Sequence, residues 1–282
     1  MSTGIKTLMV DAGLDDTAEA RVRLAAALAG RFGARVVGLG ACAARPPVTG
    51  PFGETAAVSM IIEGEVERVH AILQSAADRF EVGTRNAGVP AEWRSFPEYP
   101  GEALARECRA ADLLVLGRGG EANGHQTADP SDVLMRAGRP ILAAPPGVAT
   151  LEAKTVLVAW KETREARRAV VDAMPFLTAA ERVVVLAIHE DKDGDPDERE
   201  RAQRHVEDVV AMLSRHGVAA SAEVALRAGQ GVADLLLGAA SRVGADLVVA
   251  GGYGHPRLLE WVLGGVTRDL LTRAPICCLL SH

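Results

Sequence analysis

Short apolar runs alternate along the chain with longer segments in which apolar residues recur every three or four positions. In the second half, the apolar runs cover residues 155–159, 182–188, 221–226, 246–250 and 275–280. The helical patterns between them cover residues 163–178, 195–216, 231–243 and 265–273. Alternation of strands and helices is typical of α/β proteins with a parallel sheet, and the first half follows the same plan.

Two of the apolar runs, at 183–188 and 246–250, show no alternation between apolar and polar residues. Strands with this pattern are buried on both faces, as they are when helices cover both sides of a parallel sheet. Each strand–helix–strand unit then makes a right-handed crossover, and successive crossovers build a doubly wound sheet. The pattern therefore predicts an α/β fold with helices on both faces of the sheet.

The two halves of the chain repeat one another. The clearest pair is Ala-Asp-Leu-Leu-Val-Leu-Gly at 111–117 and Ala-Asp-Leu-Val-Val-Ala-Gly at 245–251. Similar pairs occur in the same order at 7–10 and 155–158, at 34–39 and 181–186, and at 139–142 and 274–277. Four pairs in register indicate a tandem duplication. We expect two units, at 1–147 and 151–282, and extra residues rich in Pro and Gly at 45–53 of the first.

Composition and charge narrow the class of protein. The chain has 282 residues, of which 48% are hydrophobic and 24% charged, and these fractions argue against disorder. Its 31 Lys and Arg against 37 Asp and Glu leave a formal charge of −6, which offers no general attraction to nucleic acid or to an anionic membrane. No apolar run approaches the roughly 18 residues of a membrane span.

The cysteines and the start of the chain indicate a compartment. Four cysteines, at positions 42, 108, 277 and 278, form neither a disulfide framework nor a metal-binding spacing. The first residues, Met1 to Lys6, lack the apolar core of a secretion signal. We therefore expect a cytoplasmic protein with reduced thiols. Of the adjacent pair Cys277 and Cys278, which point to opposite faces of the last strand, we expect one to lie in the core.

The loop after the apolar run at 246–250 is the first candidate for chemistry. In open α/β sheets, ligands bind beyond the carboxyl ends of the strands where the strand order reverses. This loop, residues 251–267, is rich in glycine, which lets backbone amides approach an anion closely. Its end, Gly264-Gly265-Val266-Thr267, opens a predicted helix whose free N–H groups form an anion site. The alternative is that the glycines only form turns.

The spacing of Gly251, Gly254 and Gly264 resembles the Gly-x2-Gly-x9-Gly nucleotide loop of the universal stress protein family. The resemblance covers nearly the whole chain and includes the family's tandem form. It implies a Rossmann-like, five-stranded parallel sheet of strand order 3-2-1-4-5 in each unit, with the two units packed as a pseudo-dimer. It also implies that the protein acts in the stress response and that its cofactor is ATP or AMP, without a metal.

The loop departs from the family pattern in ways that bear on nucleotide binding. Gly265 stands where the family has Ser or Thr, although Thr267 keeps a hydroxyl in the first helical turn. The family's Asp at the end of the first strand is replaced by Lys161, in the run Ala159-Trp160-Lys161. Lys161 either reaches a phosphate or remains a solvated charge, and Trp160 either stacks on a base or packs on its neighbours.

The loop also carries basic side chains. His255 and Arg257 lie within it, and Arg268 follows in the helix, so this segment stands out in an acidic chain. The predicted nucleotide-binding residues are Gly251, Gly254, His255, Gly264, Gly265, Val266, Thr267, Ala159, Trp160 and Lys161.

The first unit carries a degenerate loop. Gly117-Arg118-Gly119-Gly120 supplies two family glycines, but Pro130 and Ser131 stand where the last glycine should be. The run 129–132 indicates a helix start, and the carboxylates of Asp129 and Asp132 would repel a phosphate. Asp11 matches the family Asp only after a shift in the alignment. We expect this unit to bind ATP poorly or not at all.

Three functions are compatible with the sequence. The first is a regulatory protein of the stress response that binds an adenine nucleotide in its second unit. The second is an interaction or signalling module that keeps the fold and has lost the site, and the third is a slow ATPase. A homodimer through the last strands, at 275–280 or 140–144, is a further expectation. The carboxylates near His189, at 190, 191, 193 and 195, indicate a solvated loop more than a cation site.

Overall fold

The computed structural model describes residues 4–46, 55–118, 124–190, 196–253 and 265–282, and the side chains of 55–57, 190 and 196–198 are left aside. The elements of the first repeat are β1 (Thr7–Asp11), α1 (Ala18–Phe32), β2 (Arg35–Ala41), α2 (Thr55–Ala87), β3 (Ala91–Phe96), α3 (Pro100–Glu107), β4 (Leu113–Gly117), α4 (Pro130–Ala137) and β5 (Ile141–Ala144). A short 3₁₀ turn, Cys108–Ala110, follows α3.

The second repeat follows the same succession. Its elements are β6 (Thr155–Trp160), α5 (Arg164–Asp172), α6 (Met174–Leu177), β7 (Arg182–Glu190), α7 (Pro196–Arg215), β8 (Ala220–Arg227), α8 (Val232–Val243), β9 (Leu247–Gly251), α9 (Gly265–Arg273) and β10 (Cys277–Ser281). The predicted order of strands and helices is confirmed in this half. One predicted helix, at 163–178, is instead divided into α5 and α6.

Pro175 explains the division of that helix. A proline has no N–H to donate, and inside a helix its ring clashes with the carbonyl of the residue four positions earlier. Here Pro175 stands in the first turn of α6, where the N–H of another residue would have no partner within the helix. Ala173 separates the two helices. The prediction of one continuous helix was wrong because it followed the apolar spacing across this residue.

The chain forms two compact units, one built mainly of residues 6–137 and the other of 151–282 together with 138–145. Strand β5, which belongs to the first repeat in sequence, is therefore part of the second compact unit. The compact units therefore differ from the sequence repeats, 1–147 and 151–282, mainly in where this strand belongs. In the first unit the strand order is β3-β2-β1-β4, and all pairs are parallel.

In the second unit the strand order is β5-β10-β9-β6-β7-β8. All neighbouring pairs are parallel except β5 and β10, which run antiparallel with Leu279 opposite Leu142. Numbered within the second repeat, the five strands from β8 to β10 have the order 3-2-1-4-5. The prediction of a doubly wound, Rossmann-like α/β fold is confirmed, with the order 3-2-1-4 for the first four strands of the first repeat.

The last strand has no free edge. β10 is hydrogen-bonded to β9 on one side and to β5 on the other. The sequence suggested 275–280 and 140–144 as strands that pair two copies of the chain, and the structure pairs these two strands within one chain. A homodimer formed by adding a strand to β10 would have to displace β5.

The strands carry the core, as their unbroken apolar runs predicted. Val156, Leu157 and Val158 of β6 are at most 1% exposed, and so are the apolar residues of β9 from Leu247 to Val249. Helices on both faces bury both sets of side chains. For the same reason both Cys277 and Cys278 are buried, where the sequence analysis placed only one in the core. Burial, with a smaller effect of Asp246, raises the pKa of Cys277 to about 12.

The long connection in the first repeat is mostly helix. α2 has 33 residues, whereas its counterpart α7 has 20, so much of the extra length of the first repeat lies in this helix. Residues 47–54 of the predicted insertion lie outside the described residues. Among the helices that the structure describes, none is long and apolar enough to cross a membrane.

Candidate functional site at the switch point of the second repeat

The strand order of the second unit reverses beside β6. From β6 the chain continues to β7 and β8 on one side of the sheet, and β9 and β10 lie on the other. The carboxyl ends of β6 and β9 are adjacent, with Ala159 opposite Ala250. This is the position where open α/β sheets bind ligands. Three predicted site residues, Gly254, His255 and Gly264, lie outside the described residues, and the others are described below.

Gly251, the last residue of β9, is required by packing. A Cβ placed on it would lie 2.5 Å from the backbone nitrogen of Ala166 and 2.7 Å from the carbonyl carbon of Glu165. The first turn of α5 therefore lies closer to the end of β9 than it could if residue 251 carried a side chain. This contact accounts for the first glycine of the loop motif whether or not a ligand binds.

The start of the loop is tied to its surroundings by backbone hydrogen bonds. Gly252 N–H donates to the carbonyl of Ser281 at 2.8 Å, and Tyr253 N–H donates to Thr267 Oγ1 at 3.2 Å. Tyr253 has a positive φ of 53°, which is uncommon for a residue other than glycine. These two amides are already used, so donors for an anion must come from elsewhere in the loop. The buried Thr267 hydroxyl serves to join the loop to α9.

The first turn of α9 supplies such donors. The N–H groups of Gly265, Val266 and Thr267 have no acceptor among the residues that the structure describes, as is usual for the first turn of a helix. The first turn carries no acidic residue and includes the exposed Arg268, so the helix dipole and this side chain both favour an anion. A Cβ placed on Gly265 would meet nothing within 4 Å. Within the part of the chain that the structure describes, the helix start is therefore open on the side of Gly265.

The end of β6 contributes the remaining predicted residues. Ala159 lies between β7 and β9 in the sheet, opposite Leu186 and Ala250. Lys161 is exposed, and within the described residues its ammonium group forms no ion pair. Trp160 is half-buried, and its indole Nε1 is buried with no hydrogen-bond partner among the described residues. The adjacent ends of β6 and β9 bring Ala159 and Gly251 close together. The hydrogen bond from Tyr253 to Thr267 brings the start of α9 to the same place.

The switch point of the first unit, between β1 and β4, is filled by a side chain of the protein. The guanidinium of Arg21 is 2% exposed. Its Nε donates to the backbone carbonyl of Asp11 at 2.6 Å, and its other nitrogens donate to Asp15 Oδ2 at 2.8 Å and Thr17 Oγ1 at 3.0 Å. A Cβ on Gly117, at the end of β4, would lie 2.7 Å from Arg21 Nη1.

Sequence reasoning missed this group because nothing in the local pattern shows that the Arg21 side chain turns towards the ends of β1 and β4. The available signal was Arg21 itself, because the other buried positions of α1 carry apolar residues, mostly Ala and Leu. A buried guanidinium requires carboxylates, and Asp11 and Asp15 stand just ahead of it. Asp11, the candidate for the family Asp, is thereby used by Arg21. Gly119 and Gly120 of this loop lie outside the described residues.

The charges of this group disfavour an anion. Two carboxyl groups lie beside one guanidinium, so this position offers an anion no net positive charge. Burial raises the pKa of Asp11, an effect that the charge of Arg21 only partly offsets. Burial would also raise the pKa of Asp15, but hydrogen bonds and charge from Arg21, with hydrogen bonds from Thr17, outweigh it and lower the pKa to about 2.

The helix start predicted near Pro130 is present. α4 begins at Pro130, and Asp129 Oδ1 accepts the N–H of Ser131 at 2.8 Å. Asp132 is paired with Arg136 one turn later, at 2.9 Å. Among the described residues, no three His, Cys, Asp or Glu side chains form a group that could hold a metal. Most of the carboxylate run after His189 lies outside the described residues.

The contact at Gly251 can be tested by substitution. We expect Gly251→Ala to destabilise the second unit by about 1–3 kcal/mol, because the added Cβ overlaps the backbone of α5. Gly265→Ala is the matched control, since its Cβ meets open space and a helical Ala is favoured over Gly. Urea unfolding followed by circular dichroism measures both. Equal midpoints for Gly251→Ala and the wild type would contradict the packing argument.

The Asp15 carboxylate predicts a pH dependence in the first unit. Its pKa is about 2 when folded and 3.8 when unfolded, so the ionised form stabilises the fold above pH 3.8, and this contribution is lost as the pH falls towards 2. We expect Asp15→Asn to cost about 2 kcal/mol at pH 7 and progressively less below pH 4. Asp16→Asn removes an exposed neighbouring charge and serves as the control. A pH-independent cost would contradict the assignment.

Comparisons with known proteins agree with this architecture. No protein-family model and no curated protein matches the chain. Among solved structures, a universal stress protein from Archaeoglobus fulgidus DSM 4304 aligns with 98% of this chain and 96% of its own, at 13% identity and a TM-score of 0.66. A functionally unknown protein, PA1789 from Pseudomonas aeruginosa PAO1, aligns with 98% of this chain and 92% of its own, at 15% identity and a TM-score of 0.58.

A universal stress protein solved in complex with cAMP aligns with 50% of this chain and 98% of its own, at 23% identity and a TM-score of 0.35. The two longer alignments extend over both repeats, so they establish the tandem architecture as well as the single α/β unit. The resemblance that the glycine loop indicated is thus confirmed at the level of the fold, and the chain has the tandem α/β fold of universal stress proteins.

Proposed function

We propose that this protein is a regulatory protein of the universal stress type, and that its second repeat binds an adenine nucleotide, ATP or AMP. The observation that carries the proposal is the start of α9 beside the switch point of β6 and β9. Among the described residues, it combines backbone N–H groups without an acceptor, a first turn without acidic residues and open space beside Gly265. In the first repeat the corresponding helix is α4, which begins at Pro130, carries Asp132 in its first turn and has its Ser131 N–H bonded to Asp129.

In this proposal the phosphates lie at the start of α9. The N–H groups of Gly265 and Val266 donate to the phosphate oxygens, and Arg268 and Lys161 supply positive charge. The nucleoside lies towards the end of β6, beside Ala159 and Trp160. Gly254, His255 and Gly264 complete the loop around the phosphates. We propose these roles for the residues; they rest on the helix start and on the resemblance of the loop.

Gly265 sets the expected strength of binding. The family's Ser or Thr at this position would donate a hydroxyl to a phosphate oxygen, and a hydrogen bond to a charged group contributes about 1.5–3 kcal/mol. Without it, affinity falls by about 10- to 150-fold. The buried Thr267 hydroxyl already accepts the Tyr253 N–H, which limits its use as a replacement. We therefore expect weak binding by the natural chain.

Restoring the hydroxyl tests the proposal. The space beside Gly265 admits a side chain, so Gly265→Ser is expected to fold normally and to bind ATP or AMP at least about tenfold more tightly than the wild type. Gly238→Ser places the same side chain on an exposed, open position of α8 and should leave affinity unchanged. Isothermal titration calorimetry with ATP, ADP and AMP measures both. Absence of binding by all three proteins would sink the proposal.

A second function is favoured by one observation. Arg21 occupies the strand ends of the first unit, and Gly265 stands where the family has Ser or Thr in the second, so both repeats depart from the family's nucleotide site. An interaction module that keeps the fold without the ligand is consistent with such departures. The two functions are distinguished by whether a nucleotide co-purifies with the protein. The ultraviolet spectrum of the supernatant after denaturation shows an adenine band only for the nucleotide-binding protein.

A further inference from the structure

Helix α2 is longer than the fold requires. Its counterpart α7 has 20 residues, and both helices end shortly before the third strand of their repeat, at Ala87 and Arg215. When their C-terminal ends are aligned, the last 20 residues of α2, 68–87, correspond to the whole of α7. Residues 55–67, which we call the α2 extension, have no helical counterpart among the described residues of the second repeat.

The two parts of α2 differ in burial. In 68–87, a stripe of side chains faces the sheet, and Val69, Leu73, Ala76 and Phe80 are each at most 6% exposed. In the α2 extension, no described side chain is buried. It nevertheless carries four of the eight large hydrophobic residues that are exposed in the described structure, namely Met60 (73%), Ile61 (52%), Ile62 (47%) and Val66 (43%).

The exposed residues continue the buried stripe. Ile62 and Val66 precede Val69 and Leu73 with spacings of four, three and four residues, and the series goes on through Ala76 and Phe80 with the same alternation. This is the spacing of a heptad seam, along which one helix packs against another. Within the described residues, the seam is covered by the sheet and α1 in 68–87, whereas Ile62 and Val66 of the α2 extension are exposed.

A bare seam is costly for a helix in water. An isolated helix as short as the α2 extension is only marginally stable in water, and helices in proteins are stabilised mainly by packing of an apolar face. Exposed apolar patches of this kind, bordered by polar side chains, mark interaction surfaces. A heptad seam packs against a helix in knobs-into-holes geometry, and α1 already lies against α2 in the same repeat, so a helix is the partner that this seam favours.

Charge selects between a second copy of this chain and another protein. Glu63 and Glu65 occupy the two positions that flank the seam, and Glu67 lies one turn from Glu63. Glu65 is held by Arg68, whereas Glu63 and Glu67 form no ion pair within the described residues. An antiparallel pair of identical extensions would place Glu63 near Glu63 of the other copy, and like charges at these positions disfavour pairing.

We propose that the α2 extension is a docking surface for an amphipathic helix of another protein, one whose apolar seam is flanked by Lys or Arg. The apolar side chains of the partner cover Ile62 and Val66, and its basic side chains face Glu63 and Glu67. This surface lies in the first repeat and is independent of the proposed nucleotide site in the second.

A peptide probe tests the seam. The probe is a labelled three-heptad peptide with Leu along its seam and Lys at the flanking positions, titrated with the full-length protein in 150 mM NaCl and followed by fluorescence anisotropy. We expect Ile62→Ser/Val66→Ser to weaken its binding at least about tenfold. Val82→Ser, which changes an equally exposed apolar residue elsewhere on α2, is the matched control and should have no effect.

A charge exchange tests the chemistry of the partner. Glu63→Lys should weaken binding of the Lys-flanked peptide and strengthen binding of the same peptide with Glu at its flanks, which non-specific apolar adhesion would not do. Binding that is equal for all variants overturns the proposal. It is also overturned if sedimentation shows that the wild type is a dimer and Ile62→Ser/Val66→Ser a monomer, because the occupant is then a second copy of this chain.

Discussion

The start of α5 packs directly on the last residue of β9, and the geometry of the second switch point depends on this contact. Because Gly251 has no Cβ, the backbone of Glu165 and Ala166 can lie where a side chain would otherwise stand. The strand end is thereby held against the helix, and the next two residues are tied to Ser281 and Thr267 by their amides. The donors left for a ligand are those that begin α9.

The first repeat uses the same strand end differently. Gly117 corresponds to Gly251, but the space beside it holds the guanidinium of Arg21 in place of a helix backbone. A buried cation of this kind is stable only with its carboxylates, so Asp11 and Asp15 are committed to it. The two repeats therefore fill the space beside the equivalent glycine differently, and the carboxylates around Arg21 are one reason why a nucleotide site is proposed only in the second repeat.

The two proposed binding functions lie in different repeats. The proposed ligand site lies in the second repeat, and the proposed docking helix is an elongation of α2 in the first. The second repeat shows how long this helix must be to cover its sheet, so the surplus in the first repeat can be recognised by comparison within one chain. A helix that exceeds this length and keeps an apolar seam indicates a role outside the folding of its own unit.

The sequence by itself determined what depends on local pattern. Apolar runs predicted the strands, helical spacing predicted the helices, and paired segments predicted the duplication, because burial imposes a period on each element. Pro175 carried a local signal for the break between α5 and α6 that apolar spacing alone concealed. Only the tertiary structure decided which contacts form between residues distant in the chain. It paired β5 with β10, placed α5 on Gly251 and Arg21 between two strand ends, and left Ile62 and Val66 of an apolar seam exposed. These outcomes depend on what lies opposite each residue in space, and spacing along the chain carries no information about that.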